Sequence, residues 1–195
     1  MYMQAYFPQH KNITDQVYNT WGIISFKWGD KYLDAFCYNR LPSSEIYEKV
    51  CNTEFISANT LDNLFAKDFA EMERRDEMLD VKITDYLRKW AKQEILFYSV
   101  NHPKNIVINE IVKRLLVYMG YYSTIEEVEF RNEKILDEEK SLKITCEAIY
   151  PTVCKFIYGE AKDIEFNMPG AINFDECLDF RTYVKYYLAY IWNYK

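Results

Sequence analysis

The sequence predicts a mainly α-helical domain with one or two short β-strands. Glycine and proline are scarce, with five of each in 195 residues, so few positions interrupt a helix. Several segments repeat apolar residues every three or four positions, which is the helical period. Only residues 22–27 and 95–100 have the β-branched and aromatic composition of strands. No linker or repeat divides residues 1–195, and one domain is therefore expected.

The first half of the chain contains an irregular start and then three predicted helices. Residues 1–42 show no sustained period outside the strand at 22–27. Ser43 or Ser44 is a suitable cap for a helix over 45–51. Asn59 or Thr60 begins a longer helix. Its apolar face comprises Leu61, Leu64, Phe65, Phe69 and Met72. The third helical run carries Val81, Ile83, Leu87, Trp90 and Ala91.

A strand-to-helix junction is predicted at Asn101-His102-Pro103. Strand 95–100 leads into it, and the sequence offers only 22–27 as a pairing partner. Proline suits the first position of a helix, because its missing N–H has no partner there. The helix is expected to end at a left-handed Gly120. Its predicted buried face comprises Ile108, Ile111, Val112, Leu115, Leu116 and Met119.

The second half begins with a charged and exposed helical stretch over 124–145. Pro151, Gly159 and Pro169-Gly170 mark a passage rich in loops. Asn173 and Glu176 form a capping arrangement for a last helix that ends at Asn193. This helix is expected to pack through Leu178, Val184, Leu188, Ile191 and Trp192.

Composition excludes several classes of protein. The net charge of −6 argues against a nucleic-acid-binding protein, which normally presents a basic face. No apolar run approaches the roughly 18 residues of a membrane span. The N-terminus has no basic and then apolar leader. The five cysteines form no CxxC pair and are expected to be free thiols. We therefore expect a soluble cytoplasmic protein.

Chemistry is most strongly indicated at His102. The chain has two histidines, His10 and His102, and neither has a carboxylate or thiol at ligand spacing, so no metal site is predicted. The start of a helix disfavours imidazolium, and a neutral histidine can accept a proton or polarise a carbonyl. Asn101 supplies a neighbouring donor and acceptor. The alternative is that Asn101 and His102 only cap the helix.

Two further features have both a structural and a functional interpretation. Arg74 and Arg75 lie in a dense charged cluster, which is either a self-paired helix face or a contact for an anion or a sugar. The 18 tyrosines suit a half-buried core as well as sugar or nucleotide pockets. None of the cysteines has a local pattern that marks it as a nucleophile for His102.

The sequence resembles the WcbI-type polysaccharide biosynthesis proteins in several segments that occur in the same order. The most specific match is Leu96-Phe97-Tyr98-Ser99-Val100-Asn101-His102-Pro103-Lys104-Asn105. The other matching segments are Tyr6-Phe7-Pro8-Gln9, Leu33-Asp34, Leu41-Pro42-Ser43-Ser44-Glu45-Ile46, Arg75-Asp76, Leu79-Asp80-Val81-Lys82-Ile83 and Ile149-Tyr150-Pro151-Thr152-Val153. Asp76 and Leu79 depart from the family pattern, which has Glu and Cys there. The family's Gly-Asn-Cys-Gln motif, its implied nucleophile site, has no counterpart.

The resemblance implies a role in capsule or surface polysaccharide synthesis, with coenzyme A or acetyl-CoA as cofactor and acetyl transfer to a sugar or glycan precursor. The chain resembles the C-terminal half of the family's α/β fold, so the strands would be a remnant of it. Implied catalytic residues are His102 and Asn101. Pro103, Lys104, Asn105, Arg74 and Arg75 are candidate ligand-binding residues.

A second hypothesis is a binding or interaction module without catalysis. Its partner would be a separate chain supplying the N-terminal half or a second copy of this chain. Such a module is expected to show an exposed apolar patch where the other half packs.

Overall fold

The computed structural model describes residues 1–11, 29–39, 41–132, 147–160, 166–167 and 177–194. Eight α-helices occur within these ranges. They are α1 (Lys31–Tyr38), α2 (Ser43–Cys51), α3 (Ala58–Asp76), α4 (Thr84–Trp90), α5 (Asn105–Tyr118), α6 (Ile125–Asn132), α7 (Pro151–Tyr158) and α8 (Phe180–Tyr194). The predicted mainly helical class is confirmed.

The strands within the described ranges are two or three residues long and form three antiparallel pairs. They are β1 (His10–Lys11) with β2 (Gly29–Asp30), β3 (Phe97–Ser99) with β4 (His102–Pro103), and β5 (Phe166–Asn167) with β6 (Cys177–Leu178). Residues 22–27 and the capping pair Asn173 and Glu176 lie outside the described residues, as do residues 133–146 of the predicted charged helix. Two helices were not predicted: α1, whose eight residues are too few for a clear period, and α7, which lies where a passage rich in loops was expected.

The N-terminal segment is part of the core. Met3, Ala5, Tyr6 and Phe7 have no exposed surface. The Ala5 N–H donates to the Asp68 carboxylate of α3 over 2.8 Å, and the Tyr6 hydroxyl donates to the Ala91 carbonyl over 2.9 Å. One apolar cluster extends from this segment through α2, α3, α4, α7 and α8. The irregular start of the sequence therefore holds helices together that are distant along the chain.

The carboxylate of Asp30 joins β2, α1, α7 and α8. It is fully buried and accepts the N–H groups of Tyr32 and Leu33, each over 3.0 Å, at the start of α1. Tyr150, at the start of α7, donates its hydroxyl over 2.9 Å, and Tyr183 of α8 donates its own over 3.0 Å. Burial raises the pKa of the Asp30 carboxyl to about 7, although these hydrogen bonds act in the opposite direction.

The tyrosine hydroxyls of α8 extend this arrangement. The Asp30 N–H donates to the Tyr187 hydroxyl over 2.5 Å, and that hydroxyl donates to Asp34 over 3.0 Å. Asp34 in turn accepts from Lys11 at the surface. Much of the tyrosine excess near α8 thus satisfies buried carboxylates while the rings fill the core.

The predicted junction after β3 is different in the structure. Pro103 does not begin the helix, because it pairs with Phe97 in β4 and the Lys104 N–H donates to the Leu96 carbonyl over 2.8 Å. The backbone remains extended through Lys104, and α5 starts at Asn105. The partner of β3 that the structure describes is β4, directly after the turn, whereas the expected partner, 22–27, lies outside the described residues.

The predicted cap at the start of α2 was wrong, and the predicted end of α5 is confirmed. Neither Ser43 nor Ser44 caps α2, because the helix already includes Ser43 and its cap position is Pro42. Gly120 has φ of +77° and ends α5 as predicted. The N–H groups of Gly120 and Tyr121 donate to the carbonyls of Val117 and Leu116, which is the Schellman arrangement.

The predicted burial of the α5 face was wrong. Val112, Leu115 and Met119 are 37%, 42% and 56% exposed. The residues of α5 that are buried are Val107 and Glu110. The helical spacing correctly identified an apolar stripe, but spacing does not reveal what covers the stripe. Across the described ranges, no helix is both long and apolar enough to cross a membrane.

Asp30 makes the stability of the fold depend on pH. The carboxyl has a pKa of about 7 in the folded state and about 3.9 when unfolded, so folding favours its protonated form. This contribution is complete below pH 4 and is lost as the pH rises to about 7, on the order of 4 kcal/mol in total. We expect Asp30→Asn to remove it, because an amide keeps an oxygen acceptor but does not ionise.

The measurement is urea unfolding of wild type and variant from pH 4 to 8. The free energy of unfolding of wild type minus that of Asp30→Asn should decrease as the pH rises. Asp68 and Glu147 also have raised pKa values, but their effect on the free energy of unfolding is the same in both proteins and cancels in the difference. Asp62→Asn, at an exposed surface pair, is the control. A difference that is independent of pH would contradict the role given to Asp30.

Candidate functional site

The turn between β3 and β4 is held by three separate segments of the chain. Within the hairpin, Ser99 pairs with His102, and the register shifts between Phe97 and Ser99. On the other edge of β3, the Met3 N–H donates to the Val100 carbonyl and the Glu147 N–H to the Tyr98 carbonyl, each over 2.7 Å. These bonds and the hairpin pairing satisfy backbone groups on both edges of the strand. This support gives the hairpin a defined position at the edge of the core.

Three polar side chains meet at this turn, here called the hairpin cluster: Ser99, Asn101 and His102. The Ser99 hydroxyl is 2.6 Å from Nδ1 of His102 and 3.3 Å from Oδ1 of Asn101. Ser99 is fully buried, whereas His102 is half-buried and Asn101 is exposed. Ser99 therefore anchors the imidazole from below and leaves its ring at the surface of the hairpin.

The single proton of the Ser99 hydroxyl determines the form of His102. If Ser99 donates to Oδ1 of Asn101, Nδ1 of His102 carries a hydrogen and donates to Ser99, which makes Nε2 the basic nitrogen. If Ser99 donates to Nδ1, Nε2 carries the hydrogen instead. The first arrangement suits a general base, and the second suits a donor to a carbonyl oxygen. The sequence analysis did not identify Ser99, although it lies within the most specific matching segment.

The predicted ligand-binding residues after His102 form the start of α5. Pro103, Lys104 and Asn105 are all half-buried. Lys104 occupies the cap position with no side-chain cap, and its Nζ lies 5.8 Å from the centre of the Tyr98 ring. A cation and the N-terminus of a 14-residue helix therefore come together beside the hairpin cluster. Both favour a negatively charged group.

Arg74 and Arg75 do not join this arrangement. Both bind Glu71 on the exposed side of α3. The Arg74 Nε donates over 2.8 Å and the Arg75 Nε over 2.7 Å. These bonds lower the pKa of the Glu71 carboxyl to about 2. The structure thus supports the self-paired interpretation of this charged cluster, and the two arginines remain only candidates for ligand binding.

A buried contact between His10 and Glu147, which no sequence pattern indicates, lies beside the hairpin. Nδ1 of His10 is 2.9 Å from Oε1 of Glu147, and both residues are more than nine-tenths buried. Burial raises the pKa of the Glu147 carboxyl, while bonding to His10 and the Val100 N–H lowers it. Neighbouring Gln9 donates to the Ala148 carbonyl over 2.6 Å. The two residues are 137 positions apart, so sequence spacing could not join them, although each flanks a segment that matches the family.

The described part of the chain contains no group of three or more His, Cys, Asp or Glu side chains that could hold a metal ion. His10 bonds Glu147, and His102 bonds Ser99 of its own hairpin. The hairpin cluster holds a histidine suited to proton transfer beside a helix start suited to an anion.

Comparisons with known proteins bear on the family and the fold of the chain. A family model described as the polysaccharide biosynthesis enzyme WcbI matches residues 1–123. No curated protein matches the sequence. A solved structure described as WcbI, a novel polysaccharide biosynthesis enzyme, is similar with a TM-score of 0.70 at 14% identity. The similarity covers 99% of this chain and 60% of that chain, so this chain spans about three fifths of its structural neighbour and shares its fold.

The Ser99 hydroxyl should control the tautomer of His102. We expect Ser99→Ala to change the ¹⁵N chemical shifts of both ring nitrogens of His102, because Nδ1 loses its partner. The shifts of His10, bonded to Glu147, serve as the internal control and should stay constant. Unchanged His102 shifts in a folded variant would show that Ser99 does not set the state of the ring.

Proposed function

The chain belongs to the WcbI family of polysaccharide biosynthesis enzymes, and we propose that it binds coenzyme A and transfers an acyl group, such as acetyl, to a sugar hydroxyl. The observation that carries this proposal is the hairpin cluster beside the cationic start of α5. It places a histidine, held through one nitrogen, next to an anion-binding helix terminus. The structural neighbour is described as a native protein without a disulfide bond between coenzyme A and one of its cysteines, which supports coenzyme A as the ligand.

In this proposal His102 is the general base. Its Nε2 takes the proton from a sugar hydroxyl while the oxygen attacks the thioester carbonyl of acetyl-CoA. The carbon–sulfur bond breaks, the proton passes to the leaving thiolate, and the products are an acetylated sugar and free coenzyme A. Asn101 orients the ring through Ser99. A general base contributes about 10²–10⁴-fold to the rate.

The start of α5 would hold the phosphates. The first amides of α5 and the Lys104 ammonium both favour a phosphate dianion. Pro103 fixes the backbone that leads into the helix, and the Asn105 side chain lies within its first turn. Arg74 or Arg75 would join only by giving up the bond to Glu71. The proposed use of coenzyme A and the free thiols of Cys51 and Cys154 support a cytoplasmic location for this reaction.

Calorimetry with coenzyme A and acetyl-CoA tests this proposal. We expect Lys104→Ala to weaken the binding of both ligands about tenfold, because a charge-assisted bond to phosphate is lost. His102→Ala should weaken the binding of acetyl-CoA more than that of coenzyme A, because the ring is proposed to lie at the acyl group. Lys92→Ala, whose exposed ammonium pairs with Asp62 on another face, should bind both normally. A folded wild-type protein that binds neither at millimolar concentration would refute coenzyme A binding by this chain.

One observation favours the second hypothesis, an interaction module. Nine large hydrophobic side chains among the described residues are exposed, and eight belong to residues 78–79 or 106–121. Seven of these, all except Ile106, which lies on the opposite side of α5, define the α5 surface: Met78, Leu79, Val112, Leu115, Tyr118, Met119 and Tyr121. A hydrogen bond between Tyr118 and Asp80 connects its two segments. Such a concentration is typical of a surface that another polypeptide covers.

Self-association tests the α5 surface. We expect the wild-type protein to self-associate with rising concentration in sedimentation experiments, because an uncovered apolar surface finds another copy. Leu115→Glu combined with Met119→Glu should give a monomer with unchanged melting temperature, since both side chains are exposed. Tyr186→Glu, at the remaining exposed hydrophobic residue on α8, is the control. A wild-type protein that is monomeric throughout would count against a docking role.

A further inference from the structure

A groove between α2 and α8 is separate from the hairpin cluster. It encloses about 450 Å³, within the usual range of small-molecule sites. Val184 and Leu188, each 1% exposed, form the apolar floor. Arg181 and Lys185 of α8 and Tyr47 of α2 line the groove as well. Residues 181, 184, 185 and 188 share one face of α8 because they are three or four positions apart.

Positive charge is concentrated and oriented in this groove. The guanidinium carbon of Arg181 lies 4.5 Å from the centre of the Tyr47 ring, and a hydrogen bond to the Tyr47 hydroxyl raises the pKa of Arg181. Stacking of this kind fixes a guanidinium that would otherwise be mobile. Lys185 follows one turn later and has no acidic partner among the described residues. A protein with a net charge of −6 thus offers two adjacent cations here.

The other wall of the groove carries groups that bind hydroxyls. Ser43 and Ser44 lie in the first turn of α2, whose cap position is Pro42 and which has no side-chain cap. Glu48 lines the same wall one turn further on. Serine hydroxyls donate and accept, and a carboxylate accepts from hydroxyls. Glu48 would repel a simple anion, but it can bind the hydroxyls of a ligand whose negative group lies against α8.

We propose that this groove binds an anionic saccharide, a sugar ring that carries a carboxylate or a phosphate. The anionic group contacts Arg181 and Lys185, the hydroxyls contact Ser43, Ser44 and Glu48, and the apolar ring face lies on Val184 and Leu188. The inference goes beyond the proposed function, because it assigns a second saccharide site, away from the histidine that would activate the sugar hydroxyl. Neither a neutral sugar nor a bare anion would use both walls of the groove.

Calorimetry with four probes tests the groove: glucuronate, glucose 6-phosphate, glucose and inorganic phosphate. We expect glucuronate or glucose 6-phosphate to bind at least tenfold more tightly than glucose and phosphate, since each of these two lacks one half of the interactions. The tighter of the two anionic sugars identifies a carboxylate or a phosphate site. Lys185→Ala, at an exposed position, should weaken it about tenfold. Arg181→Ala should do the same, and Lys89→Ala on α4 should have no effect.

Binding of inorganic phosphate as tight as that of both anionic sugars would overturn the proposal and show a plain anion site. Equal binding of glucose, no binding of any probe, or an unaffected Lys185→Ala variant would overturn it too. The coenzyme A titration of the same protein separates this proposal from the proposed function. A wild-type protein that binds coenzyme A but no anionic sugar would refute only the groove proposal. A wild-type protein that binds an anionic sugar but no coenzyme A would refute only the coenzyme A proposal.

Discussion

The buried carboxylate of Asp30 is the constraint on which the helical arrangement depends. A carboxylate without solvent is costly unless its oxygens are bonded, and four donors from α1, α7 and α8 surround this one. The tyrosines that donate also build the core, since the rings of Tyr150 and Phe180 lie 4.9 Å apart. Helix α8, which forms one wall of the groove, is thereby fixed relative to α1 and α7. Because the Asp30 carboxyl has a pKa of about 7, the stability of this arrangement depends on pH.

The hairpin cluster depends on a second set of long-range contacts. Met3 and Glu147 complete the backbone pairing of β3, and the carboxylate of Glu147 also holds His10. The residues proposed for chemistry therefore lie on a hairpin that is hydrogen-bonded to segments from distant parts of the chain. A histidine at the surface gains a fixed orientation in this way, which general base catalysis requires. The groove and the α5 surface are built by other elements, so the three proposed sites can be altered by separate substitutions.

Sequence reasoning succeeded where local chemistry decides the structure. Helix α3 begins at Ala58, one residue before the predicted Asn59, and its cap Ser57 accepts the N–H of Thr60. Gly120 ends α5 because its φ is positive. The position of His102 after a short strand was also predictable from residue types. The prediction that Pro103 begins α5 was wrong. Proline prefers the first position of a helix, but hairpin hydrogen bonds keep the backbone extended here.

The sequence by itself determined the mainly helical class, the start of α3 to within one residue, the end of α5 and the apolar stripe of α5. These follow from backbone preferences and spacing, which act within a few residues. Only the tertiary structure decided that Ser99 holds His102 from below, that His10 meets Glu147, that the α5 stripe is uncovered and that α2 and α8 enclose a groove. Each of these depends on segments brought together by the burial of apolar surface around the core and Asp30, and periodicity contains no information about such partners.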